Sequence, residues 1–247
     1  MLEIAHLHAA YADKRGSLRV LQDLEFSVAA RQFVSVLGPS GSGKSSLLRV
    51  LAGLLEPSRG EVRLHGEPLR GPQPGVGVVF QEANLMPWRT VAENIRLPLE
   101  LQGAPEGAAA ARVAEMVELV GLGGFENTQP RDLSGGMAQR VAIARALVHD
   151  PEILLMDEPF GSLDAITRER MGEELLRLWN LDHKTIILVT HDIGEALYLA
   201  DRVLVLSARP AQLKLDLAVD LPRPRRPEMR YTAKFGELAG QLRAAIG

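Results

Sequence analysis

The stretch that decides the fold is GPSGSGKS at residues 38–45, which matches the pattern G-x-x-x-x-G-K-[ST] at every position. An apolar run at residues 33–37 precedes it, as expected for a strand buried on both faces, and a helical pattern follows from about Lys44 to Leu54. The glycines allow successive backbone N–H groups to converge on phosphate oxygens, and the helix N-terminus adds positive charge. The sequence therefore predicts a loop that binds a nucleoside triphosphate. The alternative is a Gly/Ser-rich surface loop that matches the pattern by accident.

Two side chains of this loop have separate predicted roles. Lys44 is expected to reach the β- and γ-phosphates, and the Ser45 hydroxyl is expected to ligate Mg²⁺. The residues predicted to bind the nucleotide here are Gly38, Pro39, Ser40, Gly41, Ser42, Gly43, Lys44, Ser45 and Ser46.

Outward from the loop, β-like runs alternate with helical patterns, which predicts an α/β core with a mainly parallel sheet. Further core strands are expected at residues 153–156, 185–190 and 202–206. Before residue 80 the runs 5–11, 19–28, 61–65 and 77–80 indicate strands joined by turns, and thus an antiparallel β layer. The predicted helices cover residues 90–121 (interrupted at Pro98 and Pro105), 136–149, 165–181, 192–200 and 232–246.

Composition excludes several classes of function. The formal charge of −3 gives no overall basic character, so nucleic-acid binding is not predicted. Because cysteine is absent, there is no disulfide framework, thiolate metal site or cysteine nucleophile. Residues 1–11 lack the pattern of a signal peptide, and the apolar runs are far shorter than the roughly 20 residues that span a bilayer. Action at a membrane would then require another chain.

Two carboxylates follow a second buried strand. In ILLMDE, residues 153–158, four apolar residues lead to Asp157 and Glu158. Given the phosphate loop upstream, we expect Asp157 to ligate Mg²⁺ and Glu158 to polarise or deprotonate the water that attacks the γ-phosphate. The alternative is that two acids simply open a loop.

The stretch LSGGMAQR, residues 133–140, carries the next anion site, because a Ser-Gly-Gly turn at a helix start offers backbone N–H groups and a hydroxyl. Here the sequence resembles the ABC ATPase family, whose LSGGQ-type signature it matches with Met137 in the last place. The resemblance implies that Ser134, Gly135 and Gly136 face the γ-phosphate bound by the other subunit of a dimer. A generic Ser-capped helix is the alternative.

Other elements of that family occur in the expected order, and the resemblance implies their roles. Gln81 matches the glutamine that contacts Mg²⁺ and the water, and Asp164 matches the loop that crosses the dimer interface. His191 matches the switch histidine that senses the γ-phosphate. Tyr11 matches the aromatic residue that stacks on adenine, although a tyrosine that ends a strand is often packing alone.

The resemblance also implies the domain organisation. We expect one ABC ATPase domain over residues 1–220, with a P-loop NTPase core and an α-helical signature subdomain at about residues 83–150. A linker and helix follow at residues 221–247. Residues 84–95, 158–161 and 221–225 are similar to the nitrate/sulfonate/taurine importer branch. The apolar residues 85–88 would then line a groove for a short helix of the permease, although they could equally belong to the core.

The implied function is that of a motor subunit that binds ATP and Mg²⁺, dimerises on ATP and drives solute uptake through a separate integral membrane permease. An extracytoplasmic solute-binding protein is an indirect partner, nucleic acid is not a partner, and the motor is peripheral on the cytoplasmic face of the inner or plasma membrane. The alternative is a soluble ABC ATPase of an assembly complex, as in iron–sulfur cluster biogenesis. A DNA-repair or chromosome ATPase would need a long coiled-coil insertion, and no heptad array is present.

Lys44→Ala is predicted to abolish ATP binding, or nearly so, because it removes the mobile cation of the phosphate loop. Isothermal titration calorimetry with ATP measures the effect. Wild-type affinity in this variant would contradict the assignment of residues 38–45 as the phosphate site.

Overall fold

The computed structural model describes residues 1–13, 16–182 and 184–247. The chain forms two compact units: Met1–Gln73 with Asp182–Gly247 (the first unit), and Pro74–Leu181 (the second unit). In the described residues, no helix has both the length and the apolar character to cross a membrane.

The elements are numbered in chain order. The strands are β1 (Leu2–Asp13), β2 (Gly16–Val28), β3 (Phe33–Leu37), β4 (Arg59–Leu64), β5 (Glu67–Pro68), β6 (Val76–Val79), β7 (Ile153–Asp157), β8 (Thr185–Val189), β9 (Arg202–Leu206) and β10 (Leu213–Ala218). The helices are α1 (Lys44–Leu51), α2 (Val91–Leu101), α3 (Glu106–Leu119), α4 (Gly135–Leu147), α5 (Ala165–Asp182), α6 (Ile193–Leu199) and α7 (Ala233–Ile246).

The first unit contains the predicted antiparallel β layer. Its strand order is β2-β1-β4-β5, and each neighbouring pair is antiparallel. Gly60 is required where β4 approaches β1, because it has φ +75° and a Cβ there would lie 2.1 Å from the His6 carbonyl oxygen. The prediction of antiparallel strands at residues 5–11, 19–28 and 61–65 is confirmed.

A second sheet in the first unit carries the phosphate loop. Strand β3 is parallel to β8 on one side and to β9 on the other, and β9 is antiparallel to β10. All five residues of β3 and of β8 are buried, which explains why both sequences are largely apolar, with Ser35 and Thr185 as the polar exceptions. Strand β10 was not predicted from the sequence, and its alternating half-buried and exposed residues indicate a solvated edge.

In the second unit, β6 is parallel to β7, with Val79 opposite Met156. The prediction that residues 77–80 belong to the antiparallel layer is therefore wrong. The reason is that the partner of this short strand lies more than 70 residues downstream, where no local turn signal reports the direction of pairing. Helices α2, α3 and α4 contact one another, and the predicted interruption near Pro105 falls between α2 and α3. The predicted interruption at Pro98 is wrong, because α2 continues through Pro98 to Leu101.

The C-terminal residues of the first unit are fastened by two arginines. Arg223 donates to an Asp201 carboxylate oxygen (2.7 Å) and to the Leu199 carbonyl (2.7 Å), and Arg225 donates to the Ala200 carbonyl (2.8 Å). These carbonyls lie at the C-terminal end of α6, where backbone acceptors need donors from outside the helix. Burial lowers the pKa of Arg225 to about 10. The division into residues 1–220 and 221–247 stays a prediction.

One buried amide fixes the loop before α2. The Asn94 side chain is fully buried; its Oδ1 accepts from the Met86 N–H (2.8 Å), and its Nδ2 donates to the carbonyls of Met86 (3.2 Å), Arg89 (3.0 Å) and Thr90 (3.0 Å). A capping box adds two bonds: the Thr90 N–H donates to Glu93 (2.7 Å), and the Glu93 N–H donates to Thr90 Oγ1 (3.3 Å). Residues 86–90 therefore have a defined backbone.

Asn94→Ala is predicted to lower the free energy of unfolding by about 1–3 kcal/mol, because it strips hydrogen bonds from part-buried backbone groups of Met86 and Arg89. Urea denaturation measures the effect. Arg131→Ala, at an exposed position of the same unit, is the control and should change stability little. Equal stability of the Asn94→Ala and wild-type proteins would contradict the role of this amide.

Candidate nucleotide site

The phosphate loop lies in the first unit between β3 and α1. Gly43 is the N-cap of α1 with φ 116°, and a Cβ there would lie 2.9 Å from the Val20 carbonyl oxygen. At Gly38 a Cβ would lie 2.9 Å from the Leu206 carbonyl oxygen. Glycine is needed at Gly43 for its backbone conformation, and at both positions because neighbouring backbone lies so close. The loop is therefore packed between β2 and the end of β9.

The polar groups of the loop are arranged for an anion. The Lys44 side chain is buried, and its Nζ donates to the carbonyls of Gly38 (2.8 Å) and Pro39 (3.0 Å). The Ser42 hydroxyl is also buried, and among the described residues it has no hydrogen-bond partner. A buried hydroxyl without a partner in the protein is satisfied when a phosphate oxygen reaches it. The loop thus fits the triphosphate predicted from the sequence.

The Tyr11 hydroxyl contacts two side chains of α1. Its hydroxyl lies 3.2 Å from Ser46 Oγ and 3.5 Å from Arg49 Nη1, and its side chain is half-buried on β1. Tyr11 and Ser46, both predicted nucleotide ligands, are therefore in contact with each other. Stacking on adenine stays a prediction.

His191 reaches the same edge of the β3–β8 sheet as the phosphate loop. Val36 of β3 lies opposite Val189 of β8, and the Thr190 N–H donates to the Val36 carbonyl (3.2 Å). His191 comes next and is exposed. The backbone after it is fixed, because Asp192 caps α6 by accepting from the Glu195 N–H (2.8 Å). Parallel pairing thus brings His191 to the loop side of this sheet.

In the second unit, parallel pairing brings the acidic residues and Gln81 to one sheet edge. Asp157 is the buried last residue of β7, Glu158 follows with φ 46°, and Gln81 lies two residues beyond the end of β6 and is exposed. Gln139 of α4 is buried and donates to the Phe80 carbonyl (3.0 Å), which fixes the backbone just before Gln81.

The signature residues form the start of α4. Ser134 is the N-cap, and its Oγ accepts from the Met137 N–H (3.2 Å). Gly136 packs close to Leu163, with a Cβ placed 3.1 Å from the Leu163 side chain. Residues 134–136 and the loop before α5 are therefore neighbours in the second unit.

Asp164 has a structural role that was not predicted from the sequence. Its Oδ1 accepts from the Thr167 N–H (3.0 Å) at the start of α5, and this bond lowers the pKa of the carboxyl group. The spacing of Asp164 and Thr167 at the start of a predicted helix is the signal that could have shown it. The predicted role at a dimer interface stays a prediction.

Arg209 was also missed. It lies in the turn between β9 and β10, and its Nη2 donates to the Gly41 carbonyl (2.7 Å). No motif includes it, because it lies 168 residues from Gly41 in the sequence. Only the tertiary structure brings Arg209 to the phosphate loop.

The comparisons with known proteins decide the family. The family model described as ABC transporter matches residues 21–161. This chain belongs to the ABC transporter family. An ABC transporter ATP-binding protein of Methanocaldococcus jannaschii is 47% identical over 224 residues, which are 91% of this chain and 84% of that protein.

Two import proteins are similar to this ABC protein over most of their length. The aliphatic sulfonates import ATP-binding protein of Bacillus cereus is 46% identical over 87% of this chain and 84% of its own. The nitrate import ATP-binding protein of Synechocystis sp. is 44% identical over 90% of this chain and 83% of its own.

Solved structures of the ATP-binding cassette MJ0796 share the fold. A dimeric post-hydrolysis state bound to ADP and Pi matches with a TM-score of 0.81 at 31% identity, and a second dimeric structure matches with 0.82 at 32% identity. Each comparison covers 90% of this chain and 100% of the other. The predictions of an ABC family member, a P-loop α/β fold and an ATPase are thereby confirmed.

Tyr11→Ala is predicted to weaken ATP binding about tenfold while leaving pyrophosphate binding unchanged, because stacking on a base contributes about 1–3 kcal/mol and pyrophosphate has no base. Tyr11→Phe, which keeps the ring and loses the bond to Ser46, should bind ATP nearly as well as the wild type. Calorimetry with both ligands measures this.

The matched control for loss of an aromatic ring is Tyr231→Ala, since Tyr231 is 90% exposed. An equal loss of ATP and pyrophosphate affinity in Tyr11→Ala would show that Tyr11 only supports α1.

Proposed function

We propose that this ABC protein is the motor subunit of an importer, which binds and hydrolyses ATP to drive uptake of a nitrate-, sulfonate- or taurine-like solute through a separate permease. The observation that carries the proposal is the similarity to sulfonate and nitrate import proteins, at 44–46% identity over 83–84% of their length. The competing function is a soluble ATPase of an assembly complex.

The nucleotide-binding chemistry starts in the first unit. Backbone N–H groups of residues 38–45, the Ser42 hydroxyl and the Lys44 ammonium bind the phosphates, and Tyr11 stacks on the adenine. His191, at the loop edge of the β3–β8 sheet, senses the γ-phosphate. The buried Ser42 hydroxyl, which has no hydrogen-bond partner among the residues that the structure describes, and the buried Lys44 side chain support this assignment.

Hydrolysis requires a base and a divalent cation. Ser45, Gln81 and Asp157 would hold Mg²⁺, since all three offer oxygen ligands of the kind Mg²⁺ prefers. When bound, Mg²⁺ neutralises negative charge on the phosphates. Glu158 accepts a proton from the attacking water, and Gln81 orients that water. The fixed backbone before Gln81 and the position of Asp157 at the end of a buried strand support these roles.

Two copies of the chain are proposed to close on ATP. Ser134, Gly135 and Gly136 of one copy then face the γ-phosphate bound by the other, and Asp164 lies at the interface. The start of α4 supports this role, because a helix N-terminus with exposed glycine and serine is a site for negative charge. The similar cassette MJ0796 is described as dimeric in both solved structures.

The permease contact is assigned to the loop that Asn94 fixes. Trp88 in that loop is 71% exposed, unlike a core residue. A large apolar side chain on a rigid backbone is the kind of anchor that interfaces use. The motor would then be peripheral on the cytoplasmic face of the membrane, with a solute-binding protein as an indirect partner.

Glu158→Gln is predicted to bind ATP and Mg²⁺ normally but to hydrolyse ATP roughly 100- to 10,000-fold more slowly, because glutamine keeps the shape and loses the base. Since hydrolysis is proposed to release the ATP-bound dimer, light scattering should show a monomer without nucleotide and a lasting dimer with ATP. Wild-type dimers should dissociate as ATP is consumed.

Glu173→Gln is the control, because Glu173 is an exposed carboxylate of the same unit. Wild-type hydrolysis by Glu158→Gln would eliminate Glu158 as the base. A variant that binds ATP but stays monomeric would contradict the dimer mechanism.

Trp88→Ala is predicted to keep the ATPase rate of the isolated subunit and to weaken attachment to the permease, because an exposed anchor is lost. The tagged chain is purified in detergent from membranes of its source cells, and the amount of co-purifying multi-spanning protein is measured. Exposed Leu101→Ala is the control. Retention of soluble scaffold proteins in place of a membrane protein would favour the assembly function.

A further inference from the structure

A rigid turn faces the phosphate loop in the first unit. It spans residues 207–212 between β9 and β10, and it is closed by the Ser207 N–H donating to the Gln212 carbonyl (2.9 Å) and the Gln212 N–H donating to Ser207 Oγ (2.9 Å). Buried Ala211 fastens the turn to β2: its N–H donates to the Val20 carbonyl (2.9 Å), and its carbonyl accepts from the Gln22 N–H (2.9 Å). The backbone that carries Arg209 therefore has a fixed position.

Two N–H groups of the Arg209 guanidinium donate to the same carbonyl oxygen of the phosphate loop. Nε lies 3.1 Å and Nη2 lies 2.7 Å from the Gly41 carbonyl oxygen. The side chain remains exposed. Donors that carry charge make stronger hydrogen bonds than neutral donors do. This contact holds the middle of the loop, whereas the approach of the Leu206 carbonyl to Gly38 holds its beginning.

A donor to the Gly41 carbonyl stabilises the phosphate loop for a physical reason. When N–H groups of a loop turn toward an anion, carbonyl groups of the same peptides turn away from it and take other partners, either donors of the protein or water. Lys44 serves the carbonyls of Gly38 and Pro39, and Arg209 serves that of Gly41. Each donor that Lys44 turns to a phosphate is withdrawn from the loop. Arg209 lies on a separate rigid turn, so it can keep its bonds to the Gly41 carbonyl while Lys44 binds a phosphate.

We propose that Arg209 is a positioning residue for nucleotide binding: by holding the Gly41 carbonyl, it keeps the loop at residues 38–45 in the conformation that receives the phosphates while Lys44 engages the nucleotide. Its charge adds positive potential beside them. This inference rests on the proposed nucleotide-binding function and assigns part of it to a residue outside every motif of the sequence.

The test compares Arg209→Ala and Arg209→Lys with the wild type. The affinities for ATP and for inorganic pyrophosphate are measured by calorimetry, and KM and kcat are measured for hydrolysis. We expect Arg209→Ala to weaken both ligands by the same factor, roughly tenfold, and to raise KM with kcat changed less than about twofold. Arg209→Lys keeps the charge and one donor group, so it should recover part of the affinity.

Arg243→Ala is the matched control, because Arg243 is an exposed arginine on α7 of the same unit. The melting temperature without nucleotide should be the same in all four proteins, which separates positioning from folding. Wild-type affinities in Arg209→Ala, a loss confined to ATP, or a fall in kcat at constant KM would each overturn the inference. If Lys44→Ala also retains ATP affinity, the proposed nucleotide site itself is wrong.

Discussion

The constraint on which the first unit depends is that the loop at residues 38–45 must fit between neighbouring strands while its carbonyl groups find hydrogen-bond donors. Strand β3 delivers the loop from between β8 and β9, and the glycines at positions 38 and 43 let it pass within contact distance of the Leu206 and Val20 carbonyls. Lys44 then donates to the Gly38 carbonyl, and Arg209 donates to the Gly41 carbonyl. The packing of the strands and the hydrogen bonds to the loop carbonyls together fix the shape of the loop.

In the second unit, three helix starts find side-chain acceptors for their backbone N–H groups. The side chains of Thr90, Ser134 and Asp164 cap α2, α4 and α5, respectively, and each accepts a hydrogen bond from a backbone N–H of the first turn. Two buried amides, Asn94 and Gln139, hold the loop before α2 and the end of β6. These bonds fix the positions of Trp88, Gln81 and the signature turn, so the residues proposed for coupling and catalysis lie on ordered backbone.

Patterns confined to a few residues predicted most of the elements. The buried strands, the antiparallel pairs before residue 65 and the break near Pro105 each follow from periodicity or from turn residues within one segment. The direction of β6 could not be predicted from such local patterns, because its parallel partner β7 lies far along the chain. Strand β10 was missed because its edge position leaves it a weak apolar pattern.

By itself, the sequence determined the motifs from which the chemistry is proposed: a glycine-rich loop at residues 38–45, the carboxylates Asp157 and Glu158 after a buried strand, and a serine–glycine turn at a helix start. Such motifs are readable because their geometry arises from neighbouring residues and from backbone conformations that few residue types adopt. Only the tertiary structure decided that Arg209 holds the Gly41 carbonyl and that Tyr11 meets Ser46. Those contacts join segments that are distant in the sequence, and the packing of strands and turns brings them together.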